Sequence, residues 1–233
     1  MFKQMLSLGL AATLSNIVFA DEADIRKAVE AKLNAKVESV AKSGYLGLYE
    51  VFVDGNIIYS DDKATVFLLG PLIDAKTMKN VTDERMKKLT AIKFSDLPLD
   101  RAIKQVRGDG KRVLATFEDP NCGYCKRLAK DLLKLDNVTV YTFLYPILSE
   151  DSVRKSKQIW CAADRAKAWN DWMVEGKAPT GRDDCDTAAV MKNQEFGRRL
   201  NISGTPTIFY GDGERVPGAV PLARIEQKLN SIK

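Results

Sequence analysis

The sequence predicts an α+β protein that has a small N-terminal helix-plus-sheet domain, a helical linker and a larger C-terminal domain with a helical insertion. Two observations predict this class. In the C-terminal half, apolar runs at 113–117 and 138–143 flank an amphipathic segment, an order typical of a parallel strand–helix–strand unit. Nearer the N-terminus, a helical pattern precedes short strand-like segments that are separated by turn signals.

Residues 1–20 have the pattern of a secretory signal peptide. Lys3 precedes a largely apolar run that ends at Ala20, directly before the acidic Asp21. This run is too short for a comfortable membrane span, and an ordinary N-terminal helix is the alternative. Cleavage after Ala20 would leave a soluble mature protein outside the cytosol, where disulfides persist.

The overall charge excludes one class of partner. The formal net charge of +5 comes from 36 basic and 31 acidic residues, and these form no dense basic cluster. We therefore expect no nucleic-acid partner.

Residues 21–80 are predicted to form the N-terminal domain. Apolar residues at helical spacing, from Ile25 to Val37, predict one helix over 21–43, which Gly44 ends. Asp54-Gly55 is a strong hairpin signal between two apolar segments. The predicted strands are 48–53, 56–60 and 65–69, with 72–74 as an extension of the same sheet.

So small a domain buries little core by itself. Pairing of a bare sheet edge with a second copy would provide the missing contact, so the sequence favours a dimerisation role. The alternative is a self-contained subdomain that packs against the rest of its own chain.

The linker is assigned to residues 81–100. A capped, mostly polar helix is predicted over 82–92, and Leu97-Pro98 interrupts the pattern after it. A helix with so narrow an apolar stripe often bridges domains through solvent.

Residues 101–233 are predicted to form the second domain. Its insertion, at about 150–200, is mainly helical, and a hairpin with Gly211-Asp212-Gly213 at its turn and a final amphipathic helix follow. The predicted helices of this region are 153–163, 166–174, 187–200 and 222–232.

The Cys-x-x-Cys pair, Cys122 and Cys125, carries the predicted chemistry. It lies where the 113–117 strand gives way to a helix, and the free N–H groups and positive dipole end of a helix favour the reactive thiolate. Lys126 and Arg127 add positive charge. The spacing would let Cys122 attack a foreign disulfide while Cys125 resolves the mixed disulfide.

Half of a zinc site is the alternative to a redox site. The chain has no histidine, and its two other cysteines are single residues separated by 24 positions, so further ligands at zinc-site spacing are absent from the sequence. The pattern favours redox chemistry, with no metal and no cofactor.

The order of elements resembles the thioredoxin fold, and the mature chain resembles the DsbC family of periplasmic disulfide isomerases. The resemblance rests on Cys122-Gly123-Tyr124-Cys125, on Cys161 and Cys185 within the insertion, and on Gly204-Thr205-Pro206. It implies a V-shaped homodimer joined through the N-terminal domains. It also implies a cis Thr205-Pro206 bond opposite the cysteines, where the backbone of Thr205 can pair with an extended substrate.

Cys161 and Cys185 are expected to form a structural disulfide. Two cysteines within one small insertion of a protein of this family, in an oxidising compartment, bond more readily than they remain free.

The chain departs from the pattern of these families at two positions. Thioredoxins carry a buried acid six positions before the first cysteine, where this chain has Thr116, so the proton of Cys125 must move through water or another group, for which Glu118 is the candidate. DsbC proteins often have histidine after the second cysteine, where this chain has Lys126. Lysine keeps its positive charge at neutral pH.

The resemblance implies a periplasmic thiol-disulfide isomerase that acts on misfolded disulfide-containing secreted proteins. A membrane electron donor of the DsbD type would keep Cys122 reduced. A DsbA-like oxidase is less consistent with the N-terminal domain. A DsbG-like reductase of oxidised single cysteines shares the architecture, and a non-catalytic holdase chaperone is the alternative from another class.

Overall fold

A computed structural model describes residues 22–232, which divide into two compact units between Leu69 and Gly70. The predicted signal peptide, residues 1–20, lies outside the described residues. Across 22–232, every helix is too short or too polar to cross a bilayer. The mixed helix-and-sheet architecture confirms the predicted fold class.

The first unit is one helix packed against a four-stranded antiparallel sheet of order β1-β2-β3-β4. Ile25 and Val29 of the helix join a core with Val40, Val51 and Ile58 of the sheet. The elements are α1 (Glu22–Leu33), β1 (Val37–Lys42), β2 (Tyr49–Val53), β3 (Asn56–Ser60) and β4 (Phe67–Leu68). The predicted β2–β3 hairpin is confirmed, with Asp54 and Gly55 both at positive φ (49° and 74°), as a type I′ turn requires.

The prediction of one helix over 21–43 is wrong in its second half. The helix ends at Leu33, Asn34 takes a left-handed φ of 49°, and β1 follows. Val37 and Val40 are both buried although they are three positions apart, because a bulge between Val37 and Ser39 shifts the register. A spacing of three is also a helical spacing, and for this reason the strand was read as helix.

The second unit begins with a hairpin that was predicted as part of the first sheet. The 72–74 segment forms a separate two-stranded sheet with residues 79–80, and a helix follows at once. These elements are β5 (Ile73–Asp74), β6 (Lys79–Asn80) and α2 (Val81–Thr90). No residue of α2 is buried, but its Lys87 pairs with Glu214 at 3.1 Å, so the helix is tied to the unit that follows it. The units divide between Leu69 and Gly70, and the predicted domain boundary at residue 80 stays a prediction.

The rest of the second unit is built on a five-stranded mixed sheet of order β11-β10-β8-β9-β7. β8 and β9 are parallel, as predicted, and the other neighbours are antiparallel. The edge strand β7 was missed by the sequence analysis. The remaining elements are β7 (Ile103–Arg107), β8 (Arg112–Glu118), α3 (Gly123–Leu132), β9 (Val138–Leu144), α4 (Glu150–Trp160), α5 (Arg165–Met173), α6 (Ala188–Arg199), β10 (Thr207–Tyr210), β11 (Arg215–Pro217) and α7 (Leu222–Ser231).

The two faces of this sheet bury different side chains. Leu114 of β8 packs with Leu128 of α3 and Ile225 of α7, whereas its neighbour Ala115 packs with Phe117 in an aromatic cluster on the other face. Such alternation is the two-residue period of a strand covered on both faces. It fixes the end of β8, and therefore the start of α3, relative to the core.

Candidate active site

Cys122 and Cys125 lie at the N-terminus of α3. β8 ends at Glu118, a short turn follows, and Cys122 is the N-cap residue of the helix. The backbone N–H of Cys125 donates to Cys122 Sγ at 3.3 Å, so the sulfur occupies the position where a capping oxygen usually accepts. Both cysteines are free thiols. The terminus of α3 thus directs the Cys125 N–H group at the Cys122 sulfur.

The Thr205–Pro206 segment lies directly opposite this thiol. The bond between the two residues is cis, and Cys122 Sγ donates to the carbonyl oxygen of Thr205 at 3.3 Å. β10 begins at Thr207 and pairs with Phe117 of β8, which brings the two segments together. The structure therefore joins two predicted site elements that are 83 positions apart in sequence.

The two thiols differ in their surroundings. Cys122 retains 6% of its surface, whereas Cys125 is completely buried. Burial raises the pKa of the Cys125 thiol, and the nearby Glu118 charge raises it further. Of the two sulfurs, that of Cys122 is therefore the more accessible.

Glu118 is the titratable residue beneath the cysteines. Its side chain is fully buried, and one oxygen, Oε1, accepts from the Thr116 hydroxyl at 2.7 Å. Burial raises the pKa of Glu118 to about 8, an effect that the Thr116 bond partly opposes. The Thr116 and Thr142 hydroxyl oxygens lie 3.3 Å apart, so the carboxyl group belongs to a small buried polar cluster.

Asp119 holds the loop that carries Cys122, and the sequence analysis did not identify this role. Its carboxylate is buried and accepts four hydrogen bonds at 2.7–2.9 Å. The donors are the backbone N–H groups of Asn121, Ile147 and Leu148 and the hydroxyl of Ser152. These bonds join the turn before α3 to the loop after β9. An Asp-Pro pair in sequence cannot reveal the distant donors.

Lys126, predicted to add charge beside the cysteines, lies over an aromatic ring. Its Nζ is 3.8 Å from the centroid of Trp172, and Lys155 Nζ lies 4.6 Å from the same centroid. Burial, followed by repulsion from Lys155 and Lys130, lowers the pKa of Lys126. Trp172 also donates to the Pro120 carbonyl at 2.6 Å, so α5 contacts the active-site turn directly. Sequence reasoning did not identify Trp172.

The residues between the cysteines face solvent. Gly123 is exposed, and Tyr124 retains 62% of its surface beside the Arg127 guanidinium, which is 5.5 Å from its ring centroid. Tyr124 thus presents an exposed aromatic surface next to Cys122.

Cys161 and Cys185 form the disulfide that the resemblance implied. Cys161 is the C-cap residue of α4, and Cys185 lies in the segment that leads to α6. Trp160 donates to the carbonyl of Asp186 at 3.1 Å and reinforces the same connection.

The fold and this site together define a class: thioredoxin-like proteins that exchange thiols and disulfides. Residues 99–233 match the thioredoxin-like domain family, and residues 16–83 match the disulfide bond isomerase protein N-terminal domain. The chain belongs to the DsbC family of thiol:disulfide interchange proteins and is a thiol-disulfide oxidoreductase.

Three relatives illustrate this membership. A probable thiol:disulfide interchange protein DsbC of Bordetella parapertussis is 52% identical over 83% of this chain and 68% of the relative. DsbC of Escherichia coli is 27% identical over 99% of this chain and 96% of its own. The crystal structure of a disulfide interchange protein from Neisseria gonorrhoeae aligns with a TM-score of 0.55 and 43% identity, over 57% of this chain and 96% of that one.

Proposed function

We propose that the chain is a periplasmic thiol-disulfide isomerase that reshuffles incorrect disulfides in secreted proteins through Cys122 and Cys125. One observation carries the proposal: Cys122 faces the carbonyl of Thr205 at the cis-proline loop, while Cys125 lies buried behind it. This arrangement supports the assignment of Cys122 as the attacking thiol, Cys125 as the resolving thiol and the Thr205 backbone as the segment that pairs with substrate.

The reaction begins at Cys122. Its thiolate attacks one sulfur of a client disulfide, a Cys122–client disulfide forms, and the other client sulfur leaves as a thiolate. A second client thiolate can then attack the client sulfur of this mixed disulfide. That step forms a new client disulfide and releases Cys122 as a thiolate, so the net reaction is isomerisation without net oxidation or reduction.

Cys125 provides a second way to release the client from the mixed disulfide. Its proton passes to the Glu118 carboxylate, and the Cys125 thiolate attacks Cys122, which forms the Cys122–Cys125 disulfide and releases the client as a thiolate. The client is reduced and the enzyme oxidised in this step. A membrane electron donor of the DsbD type would then reduce the pair again.

The cis-proline loop provides a binding surface for the client. The Thr205 backbone lies beside Cys122, where an extended client segment could pair with it as an added strand. Tyr124 and Leu148, 62% and 56% exposed, offer apolar contact near the same thiol. Contacts that depend on backbone and exposed apolar surface suit an enzyme that accepts many misfolded sequences.

A homodimer through the N-terminal domain completes the proposal. The match to the isomerase N-terminal domain supports it, as do the exposed apolar side chains Val66, Leu68 and Leu69 at and beside β4, the last strand of the described sheet. An edge strand with exposed apolar residues is suited to pairing with a second copy.

A chaperone role is the second candidate. The exposed Tyr124 and Leu148 favour it, because apolar surface beside the site could hold an unfolded chain without chemistry. If a variant that lacks both Cys122 and Cys125 still suppressed the aggregation of an unfolded protein, this result would support the chaperone role. A DsbG-like reductase, in contrast, would resolve oxidised single cysteines without restoring scrambled disulfides.

Two cysteine variants test the proposed chemistry. Cys122→Ser removes the attacking sulfur, so reduction and isomerisation of a scrambled multi-disulfide substrate should both fall to background. Cys125→Ser retains the attacking thiol of Cys122 but lacks the thiol that resolves the mixed disulfide. Mixed disulfides with the substrate should therefore accumulate and be visible on non-reducing gels. The roles would be reversed if only the Cys122 variant formed adducts.

A further inference from the structure

A small cavity lies beside Glu118 and is lined by residues of β7, β8, α3, β9 and α5. It has room for about one water molecule. Its polar lining comes from Glu118, Arg107, Gln105, Thr142 and Asn170. Three of these, Gln105, Arg107 and Asn170, are only partly buried, so the cavity reaches the surface at the edge strand.

Two buried polar atoms in this lining have no hydrogen-bond partner within residues 22–232: Glu118 Oε2, an acceptor, and Arg107 Nη1, a donor. Buried polar atoms rarely remain unpaired, and an ordered water is the usual partner where the site is polar and large enough. The donor and the acceptor line the same cavity, so one water could serve both.

The surrounding side chains hold Arg107 in place. Its Nη2 donates to Gln105 Oε1 at 3.3 Å, and Asn170 of α5 donates to the same oxygen at 3.1 Å. Arg107 is thus tied to the insertion through Gln105, which leaves Nη1 available to the cavity.

We propose that this cavity holds a water bonded to Glu118 Oε2 and Arg107 Nη1, and that it is the route by which the Cys125 proton leaves the domain. The inference rests on the proposed function, in which Glu118 accepts that proton. After the carboxylate has taken the proton from Cys125, the carboxylic acid passes it to the water, and exchange with solvent follows at the Gln105–Arg107–Asn170 edge. Arg107 is a positioning residue, because it orients the water and touches no reacting sulfur.

The charged and titratable groups around Glu118 are few among the described residues. Cys125 interacts with it from α3 and Arg107 lines the same cavity from β7, while β9 contributes Thr142 and the apolar Val140, and α5 contributes Asn170 and the apolar Trp169. Protonation of Glu118 should therefore respond to changes at Arg107 or Cys125 more than to changes elsewhere.

Arg107→Met in the full chain tests the route, with Arg107→Lys as the variant that retains a donor and Lys104→Met as the matched control on the same strand. Two rates are measured against pH: formation of the mixed disulfide by Cys122, and its resolution by Cys125. We expect Arg107→Met to slow resolution about tenfold and to move its pH midpoint, with formation unchanged within about twofold. Arg107→Lys should restore part of the rate, and Lys104→Met should alter neither.

The outcomes separate this inference from the proposed function. Equal resolution rates in Arg107→Met and the unmodified protein would overturn the route, as would an equal loss in both rates, which would mark Arg107 as merely structural. If instead Cys125→Ser resolved mixed disulfides as fast as the unmodified protein, the assignment of Cys125 would fail, whatever the result at Arg107.

Discussion

Glu118 is a carboxyl group whose burial costs stability at neutral pH. Its charged form loses hydration inside the domain, and only the Thr116 hydroxyl compensates directly. A structural requirement alone would be met better by an apolar side chain, so the acid at this position is consistent with a part in proton transfer.

The stability of the protein should therefore depend on pH through Glu118. The pKa of this residue is raised in the folded state to about 8 from 4.5, so its contribution is fully present below about pH 4.5 and is lost as the pH rises through about 8. At pH 7 the loss is roughly 3 kcal/mol, at 1.36 kcal/mol per pH unit. Glu118→Gln should remove this decline, as measured by urea unfolding at pH 5 and pH 8, at about 25 °C.

Glu195→Gln, at an exposed position on α6, is the control for that comparison, because it removes a carboxylate without changing a buried one. Parallel pH curves for the Glu118 variant and the unmodified protein would contradict the expectation and show that Glu118 is ionised in the folded state at neutral pH.

At the residue scale, sequence identified the groups that belong to local motifs. Cys122, Cys125 and the Thr205–Pro206 pair can be recognised from adjacent letters, and the structure brings them together. Arg107 and Trp172 could not be found this way, because their roles depend on contacts with residues far away in sequence. A lone arginine on a short strand does not indicate a functional role by its sequence pattern, and neither does a tryptophan at helical spacing.

At the element scale, the prediction of helices, strands and turns succeeded where a sequence pattern was compatible with a single type of element. The hairpin turn at Asp54-Gly55 and the amphipathic α3 each have a pattern that no competing element shares. The prediction of β1 failed because its bulge produces helical spacing. β7 was missed because its two apolar residues, Ile103 and Val106, are three positions apart, so the sequence does not alternate although the burial of the strand does. Such strands form because a neighbouring strand pairs with them, and the sequence of the strand alone does not reveal that partner.

The disulfide between Cys161 and Cys185 should stabilise the insertion without affecting the chemistry. Cross-linking residues 24 positions apart restricts the unfolded chain, an effect worth about 3 kcal/mol in the chain-entropy model. Cys161→Ser combined with Cys185→Ser should lower the free energy of unfolding by about this amount and leave the reduction of a small disulfide unchanged. Unchanged thermal unfolding would show that the bond contributes no stability, and lost reduction would show that the insertion supports the site.

At the scale of the whole molecule, the two units divide binding from chemistry in the proposed enzyme. The second unit contains both cysteines, the cis-proline loop and the Glu118 cluster, to which the proposed exchange reaction is assigned. The first unit presents exposed apolar residues, which supports a role in assembly. Linking two sites in a dimer raises the effective concentration of one for a client held at the other.

A chain that begins at Gly70 should therefore separate the two activities. It retains α2, whose Lys87 pairs with Glu214, and the segment around Leu97 that packs in the aromatic cluster, so it should fold. We expect it to sediment as a monomer and to reduce small disulfides at close to the rate of the chain from residue 21, which should sediment as a dimer. Recovery of a scrambled multi-disulfide substrate should fall at least tenfold, because a misfolded client must be held through several exchanges and one small site releases it early.

A dilution series of the longer chain provides the control. Its isomerase activity per site should decline as the dimer dissociates, whereas its reduction of the small disulfide should not decline. A monomeric truncation that restores scrambled substrate as well as the longer chain would contradict the proposed role of the first unit and leave the chemistry at Cys122 intact.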